Sequence, residues 1–129
     1  MKFIIIIALA IFITKPVNAI ENCDDPQTQL DMNLCSFKDY QDADLELNRI
    51  YKKALEHINS DHEEDFRENQ RIWIEYRNLT CDFQTRFREN GGTIWPLINN
   101  TCMTRLTKQR TEEIYNIFLD NTLRQYKEE

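Results

Sequence analysis

Four cysteines constrain this chain more than any other feature. Cys23, Cys35, Cys81 and Cys102 are an even set in a sequence of 129 residues. In an oxidising compartment such a set is read first as two disulfides. Cys81 and Cys102 each lie ten residues from the Gly91-Gly92 pair, on opposite sides of it. If the glycines turn one helix back on the next, the two sulfurs face each other across an antiparallel hairpin. Cys23 and Cys35 then tie the start of the chain to an early helix. Chain-entropy arithmetic gives each bridge roughly 3 kcal/mol, a large share of the stability of a domain with a thin core. A zinc site needs close Cys or His pairs. No CxxC occurs, and the only histidines, His57 and His62, are five residues apart. We therefore expect no metal and no cofactor.

The oxidising compartment is supplied by residues 1–19. Lys2 precedes an apolar run from Phe3 to Ile13, followed by Lys15, Pro16 and Val17-Asn18-Ala19. A basic start, a short apolar stretch and small residues before a cut describe a secretory signal. The run is too short for a permanent membrane anchor. Cleavage after Ala19 leaves a single domain, residues 20–129, that is periplasmic or secreted. Cys23 follows Asn22 and lies four residues past the cut, which argues against a lipid anchor.

Without Lys2 and Lys15 the chain holds 14 basic and 22 acidic residues, a formal net charge of −8. That makes a nucleic-acid partner unlike this chain, because phosphate contacts need a basic face. The acidity is concentrated: Ile20–Asp65 carries 13 carboxylates against 4 basic side chains, whereas Phe66–Glu129 is nearly balanced. Such a field steers encounter with a basic partner.

The remaining pattern is helical. Asp25-Pro26 offers a capping side chain followed by proline at the first helical position, which predicts a helix from Pro26 to about Phe37. Leu47, Ile50, Tyr51, Ala54, Leu55 and Ile58 fall at steps of three and four, so Asp39 to about Ile58 is a second helix, or the second half of one kinked helix. Ser60 and Glu63 have the spacing of a capping box. They start a long helix to about Glu89, with Phe66, Trp73, Tyr76, Phe83 and Phe87 at heptad-like intervals. Gly91-Gly92 ends it, since glycine adopts positive φ without penalty. A last helix begins near Thr93 or Trp95 and presents Ile98, Cys102, Leu106, Ile114, Ile117 and Phe118. The expected fold is all-α: a bundle of about four helices with a long antiparallel hairpin, stapled by Cys23–Cys35 and Cys81–Cys102.

Four segments together resemble a known family. They are Gln29-x-x-Met32-Asn33-x-Cys35, Ala43-Asp44-x-Glu46-Leu47-Asn48-x-x-Tyr51, Gln70-Arg71-x-Trp73-Ile74-x-Tyr76-Arg77-x-x-x-Cys81, and Gly91-Gly92-Thr93-Ile94 leading to Cys102 and Leu106-Thr107-x-x-Arg110. In order, spacing and cysteines this chain is similar to the lysozyme inhibitor LprI-like domains, small exported bacterial proteins, over about residues 29–113. The resemblance implies a non-enzymatic protein that binds lysozyme. Most of its motif positions read as scaffold. Trp73 fills the space between helices, Arg77 pairs with a carboxylate such as Asp44, and Asn33 and Asn48 serve as internal hydrogen-bonding groups. Gln70, Arg71 and Arg110 form a polar network across the last two helices.

Catalytic signatures are not found: there is no Gly-x-Ser-x-Gly elbow and no HExxH. With 22 carboxylates some pair is inevitable, so sequence proximity does not indicate a glycosidase. A basic lysozyme is the expected partner, met by Asp24-Asp25, by Asp61, Glu63, Glu64 and Asp65, and by Thr93 with Trp95 at the glycine turn. Trp95 equally suits closure of the hairpin tip. The alternative expectation is an exported adaptor or immunity-type module with another partner.

Overall fold

A computed structural model describes residues 23–85 and 91–120. They form α1 (Gln29–Leu55), α2 (Ser60–Gln84), a short 3-10 turn at Gly92–Ile94, and α3 (Trp95–Phe118). The expected leader and the polar end beyond Asp120 lie outside the described residues. The all-α class stands, with three α-helices among the described residues where about four were expected.

The difference is a merger. The two early helices are one, Gln29–Leu55, because no glycine or proline interrupts that span. Ser36, just before the expected break, donates to the Asn33 carbonyl at 2.9 Å, and the helix runs on without interruption. The start also moves, from Asp25-Pro26 to Thr28. The Thr28 hydroxyl accepts from the Asp31 N–H while the Asp31 carboxylate accepts from the Thr28 N–H, both at 3.1 Å. Satisfying two orphan donors reciprocally outweighs a single capping side chain.

The capping box expected at Ser60 does not form. Asn59 occupies the cap position without a side-chain cap bond, and Ser60 is already helical. Glu63 instead accepts from Arg67 one turn on. At its other end α2 stops at Gln84, short of Glu89. The Thr85 N–H and hydroxyl both donate to the Cys81 carbonyl, at 2.9 and 2.7 Å. Gly91 has an ordinary φ of −78°, whereas Gly92 sits at +54°. The glycine pair therefore launches the 3-10 turn, and only Gly92 uses the left-handed region that favours glycine.

α1 and α3 run parallel, with α2 antiparallel to both. At one end Asn33 Nδ2 donates to the Thr93 carbonyl (2.8 Å), and Asn100 Nδ2 donates to Ser36 Oγ (3.2 Å). At the other end Phe66 of α2 stacks on Tyr51 of α1 (4.9 Å between centroids) and meets Phe118 of α3 edge-on (5.0 Å). The expected hairpin partners, α2 and α3, are bridged by Cys81–Cys102. The closest neighbour of α3 is nevertheless α1. Small buried residues explain this: Ser36, Ala43 and Ala54 on α1 and Thr107 on α3 keep side-chain bulk low.

The apolar core is Leu47, Ile50, Ala54, Phe66 and Ile114, with Tyr51, Leu55, Ile58, Trp73, Phe118 and Leu119 packed against it. It fills the half of the bundle remote from the disulfides.

Candidate functional site

Midway along the bundle, α2 meets α1 and α3 through charge and aromatic rings. Arg77 is 5% exposed and donates through Nη1 to Asp44 Oδ1 (3.0 Å) and to the Thr107 hydroxyl (3.1 Å). Its guanidinium lies 5.3 Å from the Trp73 ring centroid and 5.4 Å from that of Tyr40. Arg110, equally buried, approaches Trp73 at 5.7 Å and donates to Gln70 (3.1 Å), Asn69 and Glu113 (2.8 Å). Two buried cations thus share one indole, each held by oxygen acceptors, an arrangement that offsets their desolvation. Burial pushes the Tyr40 phenol above its ordinary value, and the Arg77 cation pulls it partly back.

Most motif positions converge on this layer or on the helix ends beside it. Asn48, expected as an internal group, is instead exposed, because its position on α1 lies off the buried face of Ala43, Leu47, Ile50 and Ala54; its Nδ2 donates to Asp44 at 3.1 Å. Asn33 ties α1 to the 3-10 turn. Arg71 departs from the expected network: it is exposed and pairs with Glu64 (2.8 Å) and Glu68 (2.6 Å) on its own helix. The layer is internal, and its two arginines each donate to side-chain oxygens on a neighbouring helix.

The expected contact residues fall at opposite ends. Asp24 and Asp25 lie beside the Cys23–Cys35 bridge, and that end also carries exposed Thr93 and half-buried Trp95. The Trp95 Nε1–H donates to the Thr85 carbonyl at 3.1 Å, closing the tip. Asp61, Glu63, Glu64 and Asp65 lie on the first turns of α2 at the far end. A 25-residue helix separates the groups by roughly 35 Å. Glu63 is further tied to Arg67 and Glu64 to Arg71.

A surface feature lies between them. Tyr76 and Phe83, expected with Phe66 and Trp73 on one stripe, point outward. Ile72, Tyr76, Leu79 and Phe83 are 57%, 56%, 61% and 63% exposed. The inward stripe is Phe66, Gln70, Trp73, Arg77 and Cys81, two of whose members are polar. The signal for the outward stripe was present in the steps 4, 3, 4 between its four residues. It was masked because the buried stripe is scarcely more apolar.

Among the described residues no group of three or more His, Cys, Asp or Glu side chains is placed to hold a metal ion. Nor is any described helix long and apolar enough to cross a membrane. What the fold and surface define is a disulfide-stapled helical domain with a closed polar interior and an apolar outer flank. Comparison with known proteins gives this class a family. The model of the family described as lysozyme inhibitor LprI matches residues 21–114, and the chain belongs to that family. It is also similar to an uncharacterized protein of Rhizobium meliloti (strain 1021), 32% identical over 124 residues, covering 84% of this chain and 88% of that one. No solved structure matches.

Proposed function

We propose that this chain is exported, cut near Ala19, and that the mature domain, residues 20–129, binds lysozyme and occludes its active-site cleft without performing chemistry. The observation that carries this reading is the family match across residues 21–114. The acidity supports it, since a mature domain with 14 basic and 22 acidic residues, formal net charge −8, accelerates encounter with a basic enzyme. The two disulfides suit an oxidising, extracytoplasmic compartment. A typical interface covers about 800 Å² on each partner, roughly 30 Å across. One such footprint does not reach both Asp24-Asp25 and Asp61–Asp65, so the contact surface is narrower than the acidic half of the chain.

The test is lysis of cell walls by a basic c-type lysozyme, with the purified oxidised domain titrated across a salt series. Inhibition that weakens as salt rises is the expected result. Unimpeded lysis by c-, g- and i-type enzymes at micromolar concentrations of the domain would overturn the reading.

A further inference from the structure

Resting on the lysozyme-binding reading, we infer that the outer flank of α2, carrying Ile72, Tyr76, Leu79 and Phe83, is the surface that docks the basic partner. These four residues follow the a/d rhythm of a helical seam, Ile72 and Leu79 at d and Tyr76 and Phe83 at a. Each is more than half exposed. Together they present an apolar patch on the order of 400 Å², within the range of the largest patch on a typical monomer, which is often a functional one. Tyrosine in such a patch is a frequent source of binding energy.

The border chooses the partner. In the same register Glu68, Glu75 and Asp82 occupy three successive g positions, one heptad apart. Glu68 is paired with Arg71, while Glu75 and Asp82 are exposed and meet no basic side chain among the described residues. At the N-terminal end of α2, Asp61 and Asp65 fall on this same flank, so the stripe continues into carboxylates. The opposite border, Trp73 and Thr80, turns toward the bundle and offers no charge.

This asymmetry disfavours a second copy. An antiparallel two-fold pairing sets the acidic g row against itself, and a parallel one sets it against neutral e positions. An anionic lipid surface is repelled by the same row. A protein presenting an apolar ridge or cleft edge flanked by Lys and Arg satisfies both halves of the surface. The groove between α1 and α3, over Ala43 and Ile50, has a weaker bias: its rim sets Asp42, Glu46 and Glu112 against Arg49 and Lys108.

The experiment measures binding of the oxidised domain to a basic c-type lysozyme by surface plasmon resonance. Tyr76→Ala and Leu79→Lys are each expected to raise Kd about 30-fold or more, the size of a hot-spot loss. Leu45→Lys, at an equally exposed apolar position on α1, is expected to leave Kd within about twofold, as is usual for a residue outside the contact. The double variant Glu75→Lys/Asp82→Lys should slow association about tenfold and flatten its salt dependence. Wild-type affinity in a Leu79→Lys variant whose melting curve is unchanged overturns the surface assignment while leaving the lysozyme reading intact. Self-association of the wild type that Leu79→Lys abolishes assigns the flank to a second copy and also overturns it. Wild-type protein that does not bind lysozyme overturns the reading, and this inference with it.

Discussion

The two ends of the bundle are held by different physics. At the end formed by the α1 C-terminus, the α2 N-terminus and the α3 C-terminus, Leu47, Ile50, Ala54, Phe66 and Ile114 make a conventional apolar core. At the other end the buried residues among those described are Cys35, Ser36, Cys81, Thr85 and Cys102, all with small side chains. Both disulfides sit there. A domain of this size buries little apolar surface, and covalent links at this end supplement the core of the other. The Arg77–Trp73–Arg110 layer lies between the two regimes.

Removing the covalent end should have the largest effect. With all four cysteines changed to serine, the loss expected from chain entropy is about 3 kcal/mol per bridge. Hydrogen exchange should show amides near Cys35, Cys81 and Cys102 losing protection before those around Ile50 and Ile114. Equal loss along the whole bundle would break the division between the ends. At the apolar end, Ile114→Ala should cost about 3 kcal/mol in chemical denaturation, the middle of the range for deleting a fully buried aliphatic side chain. The same truncation at Ile98, which is 44% exposed beside the stapled end, should cost well under about 1 kcal/mol.

Much of this division was legible in the sequence. Spacing about Gly91-Gly92 assigned the disulfides, and steps of three and four found the core face of α1. What escaped was the orientation of α2. Its buried stripe includes Gln70 and Arg77, and its exposed stripe includes Tyr76 and Phe83. Hydropathy alone therefore misplaces Tyr76 and Phe83, whereas the pairing of Arg77 with Asp44 expected from the motif, across 33 residues of sequence, gives the rotation that the structure has. The Thr28–Asp31 cap was equally visible as a T-x-x-D spacing, but Asp25-Pro26 competed with it. Which surface meets a partner was least legible, because the family's motif residues mark the interior and the outer flank is only partly composed of them.

The arginine layer yields a smaller effect. Arg77→Met should cost about 2 kcal/mol, less than breaking a fully buried pair because Asp44 remains partly hydrated once its partner is gone. If Arg77 joins the two ends, this variant should lower protection on both sides of the layer in hydrogen exchange. Loss confined to one side would show that the ends are independent.

The finest probe of the same layer is Tyr40. Burial raises its pKa, and the Arg77 cation opposes the rise. Tyrosinate absorbance, read as the difference between wild type and Tyr40→Phe, should therefore titrate above the ordinary value of about 10. Arg77→Met should move the midpoint higher still, since the opposing cation is lost while burial remains. The sign carries through to stability. Below the unfolded value of about 10 both states hold the proton and the contribution of Tyr40 is complete. As pH climbs from there through the folded pKa, the unfolded chain releases its proton first and unfolding gains ground. A midpoint that falls in the Arg77→Met variant would mean that water has entered the layer, and that the cation seals the junction between the two ends as well as charging it.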